Sequence, residues 1–84
     1  MTYEVLILRH AQRELARLPA GAYARALAAM RALSAAPRPD GASKLEARDG
    51  WRIRAGDYRI IYEIDDGAGT VTVLHVGHRR DVYR

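Results

Sequence analysis

The sequence predicts an α+β fold with the element order β-α-α-β-β-β, a helical hairpin packed on one face of an antiparallel sheet. Three observations carry it. A short β-branched and aliphatic run opens the chain, and apolar residues then recur at helical spacing as far as Leu33. From Trp51 onward the period drops to two. Between these halves lies one stretch of loop chemistry, "SAAPRPDGAS" at positions 34–43, with two prolines and a glycine.

The first element is "YEVLIL", residues 3–8, whose composition and length suit a strand. From Arg9 to Leu18, Ala11, Leu15 and Leu18 share one helical face, and Arg9, Arg13, Glu14 and Arg17 point elsewhere. Pro19 closes that helix and suits the first turn of the next. A second helix over about 22–33 carries Tyr23, Leu27, Met30 and Leu33 along one stripe, with alanines filling the gaps. After the loop, strands are expected near 51–54, 58–65 and 70–79, joined by "AGD" and "DDGAG" turns.

A chain of 84 residues predicts one domain, 1–84, with a small core and a thin stability margin. With no cysteine, disulfide scaffolds, thiolate catalysis and cysteine–zinc sites are excluded, which fits a reducing cytoplasm. The apolar run Val5–Leu8 is too short for a signal-peptide core or a membrane span. Formal charge is +4, distributed as +3 over residues 1–43 and +1 over 44–84. Of the 14 cations 13 are arginine, Lys44 being the exception, and arginine's planar fork suits bidentate phosphate recognition. A high-GC genome would enrich arginine and alanine together, so placement matters more than the total.

Strand parity supplies that placement. Trp51 and Ile53 share a face, as do Tyr58, Ile60, Tyr62 and Ile64, and both sets suit the helices. Arg52, Arg54, Arg59, Ile61 and Glu63 then point to the side that nothing covers. Three like charges on neighbouring strands repel, a cost without folding benefit unless an anion binds there. The alternative is that Asp57, Glu63 or Asp65 neutralises them as ordinary surface pairs. In the last strand both parities are apolar. With Leu74 and Val76 inward, Val73, His75 and Arg79 go outward, and His78 takes the opposite parity unless Gly77 marks a bulge. His75 and His78, three apart, cannot share a metal on a regular strand, and no other clustered ligands are evident, so no metal or cofactor is expected. There is no glycine-rich phosphate loop, and Ser34 and Ser43 assemble into no nucleophilic triad.

Three stretches, "YEVLILRHAQRELARLP", "WRIRAGDYRIIYEI" and "VLHVGHRRDVYR", together resemble the RelE/ParE superfamily of bacterial toxin–antitoxin systems, RelE-like branch. The resemblance implies a RelE-like fold and a ribosome-dependent mRNA interferase. In that reaction a ribose 2′-hydroxyl attacks the adjacent phosphate in the ribosomal A site, leaving a 2′,3′-cyclic phosphate. It implies catalytic roles for Arg52, Arg54, Arg59, Arg79 and Tyr83. Guanidinium groups would meet the charge growing on the phosphoryl oxygens, and a tyrosine ring could stack an unpaired base. Where the best-understood relatives have lysines, this chain has Arg52 and Arg54, and arginine cannot give up its proton. His78, His75 and Tyr83 therefore stand as candidates for the general base, unless the arginines only acidify the 2′-hydroxyl. The ParE branch, which poisons DNA gyrase without cutting RNA, is the alternative, followed by an inactive antitoxin-binding member.

The partners implied are mRNA on the ribosome and a small acidic antitoxin that wraps the toxin. DNA is reached only through the toxin–antitoxin complex, and no membrane is involved. The antitoxin would cover or displace Arg52, Arg59, Arg79 and Tyr83.

Overall fold

The aliphatic and period-two stretches become strands and the period-3.6 stretch two helices. In the computed structural model, which describes residues 2–78, the order is β1 (Glu4–Ile7), α1 (Arg9–Ala16), α2 (Ala20–Ala32), β2 (Ser43–Lys44), β3 (Trp51–Ala55), β4 (Tyr58–Asp65) and β5 (Thr70–His78). The five strands form one sheet in the order β1-β5-β4-β3-β2. Neighbours are antiparallel except β1, which runs parallel to β5. The sheet is therefore mixed, where sequence reading expected an antiparallel one and missed the two-residue β2. The helical hairpin carries the chain from one edge of the sheet to the other. The β2–β5 meander then returns it beside β1 in the same direction, a crossover that only parallel neighbours require.

One face of the sheet packs on the helices. Ile53, Ala55, Ile60, Tyr62, Val71, Val73 and Val76 meet Ala11 and Leu15 of α1, Ala26 and Met30 of α2, and Leu33 just beyond it. The expected stripe on α2 is rotated slightly: Met30 and Leu33 are buried as predicted, but Ala26 is buried while Tyr23 stays exposed. Alanine at 26 lets the helix approach the sheet closely, where a tyrosine could not fit. Gly50, at φ +132°, admits the chain to β3. A Cβ there would lie 3.0 Å from Leu45 Cδ1 and 3.2 Å from the Tyr62 carbonyl oxygen.

The proline loop is lashed down. Ser34 and Tyr3 exchange two hydrogen bonds, the Tyr3 amide donating to the Ser34 carbonyl at 2.8 Å and Ser34 Oγ to the Tyr3 carbonyl at 2.7 Å. Arg38 pairs with Asp66 at 2.9 Å and lies 5.4 Å from the Trp51 ring centroid. The Tyr3 hydroxyl also donates to Asp66 at 2.6 Å. Arg38, and then Tyr3, hold the Asp66 carboxyl below the usual carboxylate range. Among the described residues no helix is long and apolar enough to cross a membrane.

Tyr62 reaches the same loop from the core, donating its hydroxyl to the Pro37 carbonyl at 2.7 Å. Burial pushes its phenol from the ordinary 10 up to about 12. The folded state holds the proton that the unfolded chain loses first. Stability is therefore unaffected by this group below pH 10 and falls as pH rises from 10 towards 12. Urea midpoints measured from pH 9 to 12 should decline more steeply for the native chain than for Tyr62→Phe. Equal slopes would show that the phenol titrates as it does in water.

Candidate functional site

The two-residue turn Gly56–Asp57, with Gly56 at φ +64°, fixes the register of the β3–β4 hairpin. Arg54 then falls directly opposite Arg59, and Arg52 opposite Ile61. Paired residues share a face, so all three guanidinium-bearing chains rise from the side of the sheet away from the helices. Arg54 is exposed, whereas Arg52 and Arg59 are half-buried and Arg59 Nε is shielded from solvent. On its other side Arg59 faces Gly77 of β5, which has no side chain to crowd the arginine stem. Ile61 lies among them, 1 % exposed although it points away from the helical core.

Two carboxylates at the far end of β4 are engaged in contacts of their own. Asp65 Oδ1 accepts the Ala68 amide at 2.9 Å inside its own turn, and Asp66 serves Arg38 and Tyr3. Arg54 forms no ion pair among the described residues. At the other end of the sheet a shallow groove is lined by Asp49, Glu63, Asp65 and Asp66 beside Lys44 and Trp51. Arg54 and Arg59 thus lie beside the β3–β4 turn, which itself carries Asp57, while Glu63, Asp65 and Asp66 lie towards the other end of β4.

β5 departs from the expected parity. Val71 and Val73 enter the core as alternation requires, but Leu74 has no partner: Ile61 pairs with His75 and Tyr62 with Val73. The bulge at Leu74 reverses the alternation, so Val76 is again in the core while Leu74 is not. The expectation of Leu74 inward and Val73 outward is corrected on that account. His75 keeps its predicted place on the arginine face, opposite Ile61. His78 pairs with Tyr58, their rings edge-to-face at 5.8 Å, and shares the helix side of the sheet. The structure therefore brings Arg52, Arg54 and Arg59 together and places His78 on the other face. Arg79 and Tyr83 lie outside the described residues.

Where β1 stops at Ile7, α1 takes its place along β5. Glu14 Oε1 accepts the Val76 amide at 3.0 Å, satisfying a strand edge that β1 leaves open. The same oxygen lies 3.6 Å from His75 Nδ1, and Glu14 Oε2 lies 3.6 Å from His10 Nε2. The two imidazoles meet edge-to-face at 5.0 Å. Sequence reading found no ligands clustered with a histidine, and this trio corrects it. The spacing of His10 and Glu14, four apart on a helix, was visible. The approach of His75 was not, because it depends on a bulge within a strand apolar on both parities.

Comparison with known proteins agrees with this architecture. The sequence profile described as "ParE toxin of type II toxin-antitoxin system, parDE" matches residues 5–83. The chain is 37% identical to Toxin RelG of Mycobacterium tuberculosis over 86 residues, covering 100% of this chain and 99% of that one. Its fold superposes on a chain of the toxin–antitoxin complex RelBE2 of Mycobacterium tuberculosis with TM-score 0.83 and 32% identity, covering 94% of this chain and 100% of that one. A chain of the archaeal RelE–RelB complex of Pyrococcus horikoshii matches with TM-score 0.84 and 32% identity, over 98% and 100%.

Proposed function

This chain belongs to the ParE toxin family of type II toxin–antitoxin systems, within the RelE/ParE superfamily, and from its likeness to RelE-type toxins and the arginines of its helix-free face we propose that it inhibits translation by cutting mRNA in the ribosomal A site. The observation that carries the reading is the register that sets Arg54 against Arg59, with Arg52 beside them, on the helix-free face. Guanidinium groups grouped on one face suit the phosphate oxygens of a nucleic-acid backbone, which their planar forks can bind in pairs.

In the proposed reaction the ribose 2′-oxygen bonds to phosphorus and the bond from phosphorus to the 5′-oxygen breaks. The 2′-hydroxyl loses its proton and the departing 5′-oxygen gains one. A 2′,3′-cyclic phosphate and a 5′-hydroxyl remain. Arg52, Arg54 and Arg59 act by charge: preorganised guanidinium groups stabilise the phosphorane-like transition state more than the diester. They hold their protons throughout and so take no part as the base. Arg79 and Tyr83 complete the proposed site, the arginine as a further cation and the tyrosine as a stacking platform for a base. The toxin acts in the cytoplasm, held in check by a small antitoxin that covers the arginine face. Relatives solved as RelE–RelB and RelBE2 complexes support such a partner.

The family's description as a ParE toxin favours one other reading, inhibition of DNA gyrase without nuclease activity. Toeprinting of ribosome-bound mRNA and a gyrase supercoiling assay on one preparation separate the two. Cleavage that is lost on adding antitoxin supports the nuclease. Inhibited supercoiling with intact mRNA overturns it.

A further inference from the structure

We propose that His10, Glu14 and His75 form a binding site for a divalent transition-metal ion, Zn²⁺ foremost, which ties α1 to β5. Two independent features of the fold bring the trio together. Helical spacing places His10 and Glu14 one turn apart on α1, and the bulge at Leu74 brings His75 to them from β5. Their ligand atoms all lie within 4.8 Å of one another.

The separations suit an ion better than direct bonding. At 3.6 Å neither histidine nitrogen makes a hydrogen bond to Glu14. Around a tetrahedral zinc with bonds of 2.0–2.1 Å, ligand atoms stand about 3.3 Å apart. The two 3.6 Å separations run to different Glu14 oxygens, so an ion would draw the ligand atoms inward from separations of up to 4.8 Å. His10, whose side chain is 62% exposed, has room to swing. Glu14 is already held, because its Oε1 accepts the Val76 amide at 3.0 Å. Anchoring of a ligating carboxylate by an outer hydrogen bond is a regular feature of metal sites. Two imidazoles and one carboxylate, with no thiolate, select Zn²⁺, Cu²⁺ or Ni²⁺ over Mg²⁺ and Ca²⁺. Three protein ligands leave the fourth position to water on the solvent side, where His10 is open.

Such an ion would clamp the helical hairpin to the strand that leads into the last residues of the chain, just where β1 ceases to support that strand. The inference stands apart from the proposed cleavage of RNA, since it rests on neither the arginines nor a nucleic-acid substrate.

The test is titration of the untagged full-length chain with ZnCl₂ in a non-coordinating buffer, followed by calorimetry and by thermal melting. One ion per chain is expected, with Tm raised by roughly 11–22 °C when free zinc reaches 100 times the dissociation constant. His10→Ala, Glu14→Gln and His75→Ala should each weaken binding at least about 10-fold. His10→Ala replaces an exposed side chain and leaves the packing intact, so it separates ligation from folding. Co²⁺ used as a spectroscopic probe should give four-coordinate visible bands in the native chain and none in His10→Ala. Absence of saturable binding, or equal affinity in His10→Ala and the native chain, overturns the proposal.

Discussion

Arg59→Ala is expected to slow cleavage of ribosome-bound mRNA about 10²–10³-fold, the cost of removing one preorganised donor from a charge-stabilising site. Arg59 is the arginine for which the fold does most. It sits on the central part of the sheet, between Arg54 on β3 and Gly77 on β5, with its Nε shielded from water. A partly desolvated guanidinium acts more strongly on developing negative charge than one in open water. Toeprint rates for Arg59→Ala and Arg59→Lys measure the effect. Lysine keeps the charge but loses the fork, so it should recover only part of the rate. An alanine variant that cleaves at the native rate would remove the arginine face from the mechanism.

The paired residue gives a complementary outcome. Arg54 is exposed and directly opposite Arg59, so Arg54→Gln relieves a like-charge contact across the strands. Stability should rise, by roughly 0.2–1 kcal/mol, while cleavage falls. Urea midpoints and toeprint rates on the same variant are the measurements. A variant both less stable and less active would mean that the arginine serves packing instead of substrate.

For stability the largest single effect is expected at Ile60. This side chain is 0% exposed at the centre of β4, flanked in register by Ile53 and Val76. Alanine there removes buried methyl and methylene groups and leaves a cavity between sheet and helices, costing about 2–5 kcal/mol. In a chain this size each kcal/mol is worth roughly 4–8 °C, so Tm should drop by at least about 8 °C and the variant approaches unfolding at physiological temperature. The neighbouring Ile61→Ala serves as a comparison. It is equally buried but lies under the arginine face, outside the helix-packed core. Ile61→Ala should disturb the site as well as the stability, whereas Ile60→Ala acts through folding alone. Calorimetric melts of the two variants, with activity measured well below each Tm, distinguish them.

The hairpin of β3 and β4 was legible because two local rules agree. Period-two alternation assigns Ile53, Ile60 and Tyr62 to one side and Arg52, Arg54 and Arg59 to the other, and the glycine turn sets the register. The helices were legible from the spacing of Ala11, Leu15, Met30 and Leu33. The last strand was not, because Val71, Val73, Leu74 and Val76 are apolar on both parities and alternation has nothing to separate.

What residue order alone decided, then, is the α+β class, the helical hairpin and the common face of three arginines, all set by contacts near in sequence. What required the folded chain is the parallel seating of β1 on β5, the bulge at Leu74 and the meeting of His75 with His10 and Glu14. The first and last of these join segments more than 60 residues apart, and the bulge arises only in the pairing of β4 with β5. A carboxylate from the first helix takes up a backbone amide on the last strand, and that bond forms only after the hairpin and the meander have packed together.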